Sequence, residues 1–326
     1  MTVICDTPPT TLVRFCEFCG GKLHAGATSP CFQCKRTPED RAPTPGAVYD
    51  VYTGSPSPPV ITRKRLASEL RRIGIKSSDI VCLHVGMKLL GHVIGAQRTI
   101  IEAMMDSAST LMMATYSGDI SDPSAWRHPS VPETMVDEIR DAIPAYNKSL
   151  TPSRGVGSVA EYFRTLPRVQ RSSHPQSSFA ALGEHALDLV GNHPLENRFG
   201  PESPLGALEA MRGRVLMIGA PRDTASIFHL VTFLVGGVPK IRKSTLIGNG
   251  GNGRCWVDYD DINYPSHWFE QGVAKLIEAG IATVDRIGNA ETILFPAAEA
   301  VKFLVEWRAS VLSADMTRWQ TRRLTP

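Results

Sequence analysis

The chain has no long apolar run. Among its 326 residues nothing approaches the ~18 consecutive apolar positions that a membrane-spanning helix requires, so no membrane partner is expected. Its N-terminus lacks a basic segment followed by an apolar core, so no secretory leader is expected and the default address is the cytoplasm. An excess of one charge is also missing. The 35 Lys and Arg stand against 32 Asp and Glu, and a net charge of +3 is too small to draw nucleic acid by overall charge. No internal repeat is evident, which sets aside repeat architectures. What is present is ordinary for a globular protein: 42% hydrophobic and 21% charged residues, at a length that suits one large domain or two smaller ones.

The seven cysteines are spaced unevenly. Cys16, Cys19, Cys31 and Cys34 form two C-x2-C pairs, with Gly20 directly after the first. A cytosolic chain seldom keeps disulfides, and paired CxxC knuckles suit tetrahedral zinc held by thiolates at about 2.3 Å. The competing reading is redox-active or free thiols. A closed four-thiolate site leaves no open coordination position, so such a zinc would hold a small ribbon together and perform no catalysis. Lys22, Lys35, Arg36 and Arg14 make only a weak basic patch, so the ribbon is a poor candidate for nucleic acid. Residues 1–36 are therefore read as a zinc ribbon. Residues 37–60, with Pro38, Pro43, Pro45, Pro56, Pro58 and Pro59, are read as a stiff spacer.

Residues 61–326 read as a layered α/β domain. Thr62 caps an expected helix through Ile73, with Leu66, Leu70 and Ile73 on one face. Ile80 to Val85, Thr110 to Tyr116 and Arg214 to Ile218 are short apolar runs expected as buried strands. Helical spacing marks the stretch up to Met105, then Glu133 to Ile143, Ser158 to Leu166, Pro204 to Met211 and Ile227 to Val235. Ile281 to Asp285 and Thr292 to Phe295 suggest a hairpin around Gly288-Asn289, and Pro296 suits the first position of a last helix. Gly248-Asn249-Gly250-Gly251-Asn252-Gly253 fits G-x-G-x-x-G on paper. The strand-like Arg254-Cys255-Trp256-Val257 after it makes a hairpin tip the better reading, because a dinucleotide fingerprint must open a helix.

Three stretches are more specific. The first runs from Thr115-Tyr116-Ser117-Gly118-Asp119-Ile120-Ser121-Asp122-Pro123 through Trp126 to Pro132-Glu133. Thr151-Pro152-Ser153-Arg154-Gly155-Val156-Gly157 and Arg171-Ser172-Ser173-His174-Pro175 follow. In order and spacing they resemble the antibiotic N-acetyltransferase family that modifies the 3-amino group of aminoglycosides. Gly219-Ala220-Pro221 with Asp223 and His229, then Pro239-Lys240-Ile241-Arg242-Lys243, resembles its branch from actinomycete producers. The resemblance spans about Ala67 to Asp261 and does not cover the ribbon.

It implies transfer of an acetyl group from acetyl-CoA, or another acyl-CoA, to an amine, in self-protection or biosynthesis. Such chemistry needs a base for the amine and donors for the oxyanion. His174 is the expected general base, on its polar turn and on the family motif. Glu202 either orients that histidine or helps cap the following helix. Asp119, Asp122 and Trp126 either bind an amine by charge and stacking or make local turn bonds. Arg154, Asp223 and His229 complete the expected acceptor side, with His229 itself, on an amphipathic helical stretch, read as a satisfied core histidine or one beside the site. The resemblance places the donor's phosphates near His84, Val85, Gly86, Gly91, Gly95 and Ala96, where small residues let backbone amides approach. Two departures stand out. Thr232 occupies a position where the family tends to carry glutamate, and Val85-Gly86 replaces serines. These leave open a carrier-protein donor docked by the ribbon, a non-aminoglycoside acceptor, or a scaffold that has lost catalysis.

Overall fold

The computed structural model describes residues 14–15, 22–23, 58–126, 130–248 and 253–324. The four ribbon cysteines, the spacer up to residue 57 and the glycine-rich tip at 249–252 lie outside the described residues. Strands β1 (Arg14–Phe15) and β2 (Lys22–Leu23) pair antiparallel, Arg14 opposite Leu23, and bracket the first CxxC pair in the sequence.

The elements that follow are β3 (Val60–Ile61), α1 (Arg63–Arg72), β4 (Ile80–Val85), β5 (His92–Val93), α2 (Ala96–Met105) and β6 (Thr110–Ala114). Next come α3 (Val136–Ala142), α4 (Ser158–Arg164), β7 (Gln170–Arg171), β8 (Phe179–Gly183), α5 (Ala186–Val190), α6 (Pro204–Ala210) and β9 (Arg214–Ile218). The chain closes with α7 (Phe228–Val235), β10 (Lys240–Gly248), β11 (Arg254–Ile262), α8 (Phe269–Glu278), β12 (Thr283–Ile287), β13 (Ala290–Pro296) and α9 (Ala297–Leu324).

Seven strands form one sheet in the order β12-β13-β9-β4-β6-β8-β7. The centre is parallel, β4 lying between β9 and β6, and the flanking strands β13 and β8 run antiparallel to it. Alternation along each strand sorts the core into two layers. Val81, Leu83, Leu111, Met113, Leu216 and Ile218 pack against α1, α2 and α4. Cys82, Met112, Val215, Met217 and Phe295 pack against α5 to α9. Both faces are covered, which is why these strands read as unbroken apolar runs and not as alternating ones.

Local capping follows the sequence. The Thr62 hydroxyl accepts from Arg65 N at 3.3 Å, and Ser203 Oγ accepts from Leu205 N at 3.2 Å with Pro204 at the first helical position. Pro296 is a correction. It ends β13 opposite Arg214, and α9 begins one residue later at Ala297. As the last residue of its strand, Pro296 ends the ladder where no further donor is needed.

Strands β10 and β11 form a separate hairpin, in register from Lys240 opposite Ile262 to Gly248 opposite Arg254. It fastens to the loop after β6: Thr245 Oγ1 donates to Ile120 O at 2.6 Å, and Asp122 N donates to Ser244 O at 3.3 Å. A small apolar cluster of Ile120, Ile143 and Leu246, with Trp126 and Trp256 against it, seals the joint.

Candidate active site

Because β4, β6 and β9 are adjacent and parallel, their C-terminal ends meet on one edge of the sheet, where open α/β folds place their ligands. The loop after β6 brings Tyr116, whose hydroxyl donates to Ser226 Oγ at 3.0 Å, on the segment leading into α7. That helix carries His229 in its first turn. The His229 ring stacks on Phe199, with centroids 4.4 Å apart and planes 12° from parallel, and meets Tyr264 edge-on at 5.5 Å. Its Nδ1 is buried without a hydrogen-bond partner. Burial, then the charges of Arg198 and His84, push its pKa down to about 3, so the imidazole is neutral at pH 7. His84, near the end of β4, is also held neutral by burial, at about 4, with Nε2 3.8 Å from Cys82 Sγ.

Arg198 governs the electrostatics. Its guanidinium lies 4.9 Å from the Phe199 centroid and 4.8 Å from that of Tyr264. Arg198 Nε and Asp261 Oδ2 approach to 2.8 Å, outside the alignment of a hydrogen bond. Lys243 Nζ reaches the same oxygen at 3.3 Å. Burial, with Arg198 behind it, brings the Lys243 ammonium down to about 8.

His174, the expected general base, lies on the turn between β7 and β8. It is fully buried, and its Nδ1 accepts from Gln176 N and Ser177 N, both at 3.2 Å. A nitrogen facing two N–H donors carries no proton, so the proton sits on Nε2. Burial first, then the charges of His193, Arg198 and Lys243, hold its pKa well below the usual histidine value. His193 is fixed by similar logic. The Arg198 carbonyl can only accept, so His193 Nε2 donates to it at 2.8 Å and the neutral ring's Nδ1 accepts from the Ser172 hydroxyl at 2.8 Å, whose oxygen accepts from Phe179 N at 2.9 Å. This relay holds the segment that presents Arg198 and Phe199.

The other expected site residues divide. Glu202 does not hydrogen-bond His174: it is exposed, and its carboxylate accepts from Asn197 Nδ2 at 3.0 Å. The helix cap there is Ser203. Asp122 accepts from Ser124 N at 2.9 Å and pairs with Arg140 at 2.7 Å, and Asp119 pairs with Arg154. Both aspartates are thus engaged within the chain. Trp126 Nε1 donates to Ser121 Oγ at 2.9 Å, and Asp223 is exposed in a short 3-10 turn.

On the donor side, Val85 ends β4, and a Cβ on Gly86 would lie 2.3 Å from Gly219 O. A Cβ on Gly91, at φ +101°, would lie 2.3 Å from Pro59 O, so this glycine serves a backbone crossing. Gly95 (φ +86°) precedes α2 as its cap with no side-chain hydrogen bond, and Ala96 follows at φ 51°. Thr232 Oγ1 is buried and turned back onto Phe228 O at 3.3 Å, away from any acceptor role. Phe199, Arg198, Tyr264, Lys243 and Asp261 were not anticipated as a group. They come from three separate stretches, 198–199, 243 and 261–264, and no spacing in the sequence connects them.

Residues 82–309 match the family described as aminoglycoside 3-N-acetyltransferase. An aminoglycoside N(3')-acetyltransferase-like protein, YokD, from Bacillus subtilis is 35% identical over 251 residues, covering 76% of this chain and 92% of that protein. The aminoglycoside N(3)-acetyltransferase IX of Micromonospora chalcea is 30% identical, covering 78% and 95%. The crystal structure of YokD superposes with a TM-score of 0.76 at 32% identity, covering 79% of this chain and 96% of that one. A structure titled as AAC-IIIb binary with CoASH superposes at 0.69 and 26% identity, covering 77% and 97%. Fold and relatives together define an N-acetyltransferase enzyme. The chain belongs to the aminoglycoside 3-N-acetyltransferase family.

Proposed function

We propose that this protein transfers an acetyl group from acetyl-CoA to an amine of an aminoglycoside or a related aminosugar, with His229 as the proton acceptor. The observation that carries the assignment is the contrast between two histidines. His174 has its Nδ1 occupied by two backbone donors and its ring fully buried, whereas His229, on α7, is partly exposed and its buried Nδ1 has no hydrogen-bond partner. The acceptor enters as the free amine. Its nitrogen attacks the thioester carbonyl, His229 takes one N–H proton, and the C–S bond breaks with that proton passed on to the departing thiolate, giving amide and thiol. A base of low pKa suffices, because the amine N–H becomes strongly acidic only once the C–N bond has formed.

The donor is coenzyme A itself and not a carrier protein, supported by the relative recorded with CoASH. Gly95, Ala96 and the uncapped N-terminus of α2 would face its phosphates. Cys16, Cys19, Cys31 and Cys34 form a structural zinc ribbon in this reading. Its support is the donor set alone.

Thiol release from acetyl-CoA, measured with an aminosugar panel on three proteins, tests the assignment. His229→Ala should fold normally and lose roughly 10²–10⁴-fold in kcat. His174→Ala should lose stability, seen as a lower Tm, because two buried N–H groups lose their acceptor. A folded His174→Ala enzyme without activity, beside an active His229→Ala enzyme, would reverse the roles.

A further inference from the structure

The loop after β6 carries two carboxylates, and an arginine from elsewhere in the chain meets each of them. The two pairs are built differently. The Asp122 side chain is 17% exposed, accepts from Ser124 N at 2.9 Å, and pairs with Arg140, whose guanidinium also lies over the Trp256 ring at 4.8 Å. That pair belongs to the frame joining loop, α3 and hairpin. The Asp119 and Arg154 side chains are 50% and 70% exposed, and among the described residues no other polar partner holds either of them. A Cβ on Gly118 or on Gly155 would meet nothing within 4 Å, so there is open space beside both.

The backbone puts this looser pair at the edge where the strand ends meet. Arg154 N donates to Tyr116 O at 2.8 Å, just past the end of β6, and a Cβ on Gly157 would lie 3.8 Å from Val85 O at the end of β4. Residues 154–157 therefore cross the ends of two central parallel strands. An ammonium and a guanidinium both bind a carboxylate through charge-assisted hydrogen bonds. An ion pair this exposed adds little to folding, because water screens it and side-chain freedom is lost in holding it. An incoming ammonium can take Asp119 from Arg154 at small cost, whereas Asp122 stays committed to the frame.

We propose that Arg154 is a specificity-determining residue: it holds Asp119 as a resident cation, and the acceptor displaces it by placing a second ammonium on that carboxylate. The inference rests on the acetyl-transfer reading and narrows its acceptors to amines carrying another ammonium beside the reacting nitrogen. An amine with one nitrogen, neutral when it reacts, has nothing to offer Asp119 and gains nothing from the exchange.

The test uses the full chain and two acceptor sets, aminosugars with one amine and aminoglycosides with four or more. Kd by calorimetry and KM in the thiol-release assay are both measured, and Tm follows folding. Both residues are exposed, so each variant should melt with the wild type. Arg154→Gln should tighten the aminoglycosides relative to the single amines by up to about 5-fold, the upper end for an exposed pair. Arg154→Lys should keep the wild-type ratio. Asp119→Asn should weaken the aminoglycosides selectively. Adding Arg154→Gln to it should change the ratio no further, because no carboxylate remains to be released. A ratio unchanged or lowered in Arg154→Gln would overturn the proposal. So would an improvement that persists beside Asp119→Asn, which is the signature of general charge repulsion. Absence of turnover on every amine counts against the acetyl-transfer reading alone, because the Kd ratios still judge the exchange.

Discussion

Replacing Gly86 by alanine should damage both the stability and the catalysis of this protein, for a reason that can be sized. Gly86 has φ −109° and ψ 107°, an extended backbone that any residue adopts, so conformational freedom is not what it supplies. Its role is closeness. A Cβ there would meet Gly219 O at 2.3 Å and Gly219 C at 3.0 Å, while Gly86 N donates to Ile218 O at 2.8 Å. Reaching ordinary contact requires the ends of β4 and β9 to part by about 1 Å, which overpacks the site and weakens that hydrogen bond. Overpacking costs about 1–3 kcal/mol and a lost hydrogen bond about 1 kcal/mol, so about 3 kcal/mol is expected in total. For a domain of this size that lowers Tm by about 6–12 °C. The displacement also moves Gly219, and with it the segment to Ser226 and His229, so kcat should fall alongside. Gly118→Ala is the control, since nothing lies within 4 Å of its Cβ position. A Gly86→Ala protein melting within 2 °C of that control would refute the packing argument. A raised KM for acetyl-CoA at unchanged Tm would restore to Gly86 the donor contact that the family resemblance implies.

Three further outcomes are expected. His193 is held at about 4 by burial, against an ordinary 6.5, so the unfolded chain binds the extra proton as pH falls through that window. Its contribution to stability is complete above pH 6.5 and shrinks by about 3 kcal/mol by pH 4. Urea midpoints measured from pH 7 to 4 should therefore decline, less steeply in His193→Gln, and a flat profile would contradict the burial argument. Arg171 is buried, with no carboxylate paired to it among the described residues. It donates to Thr115 O at 2.7 Å, Thr151 O at 2.5 Å and Lys148 O at 3.2 Å, so Arg171→Met should cost about 3–5 kcal/mol by chemical denaturation. Metal analysis of the purified protein should find one zinc per chain, and none in Cys31→Ser/Cys34→Ser. A zinc-free wild type would return those thiols to redox or free status.

Much of the scaffold was legible because its signals are local. Ile80–Val85 and Arg214–Ile218 are short apolar runs bounded by polar or glycine residues, and both are strands over those residues. Thr62 and Ser203 announce helix starts by their own chemistry. The hairpin around Gly288 emerges as β12 and β13, with Gly288 at φ +60°. Glu133 to Ile143 reads as one helix but opens as a 3-10 turn before α3, a difference that apolar periodicity does not register. The site was legible only where motif and chemistry coincide. Asp119 and Asp122 look alike whether they await a ligand or an arginine, and Arg140 lies too far along the chain to be foreseen. His174 carries the family motif, but the two backbone amides that donate to its Nδ1 belong to the folded turn and leave no mark in the sequence. Arg198 and Asp261, 63 positions apart by their numbering, meet only through the return of the β10–β11 hairpin.

That hairpin stands apart from the seven-stranded sheet, and beside its direct contacts to the acceptor loop one side chain ties hairpin, loop and the His174 turn together. Gln176 Nε2 donates to Ser244 O at 3.0 Å and to Ile120 O at 3.3 Å, and its Oε1 accepts from the Tyr259 hydroxyl at 3.0 Å. A module attached in this way can change its residues without disturbing the sheet that aligns the reacting groups. Acceptor preference and catalytic alignment are then separately evolvable. One scaffold could pass from one aminosugar to another through substitutions confined to residues 240–262, with Gln176 kept as the coupling pin.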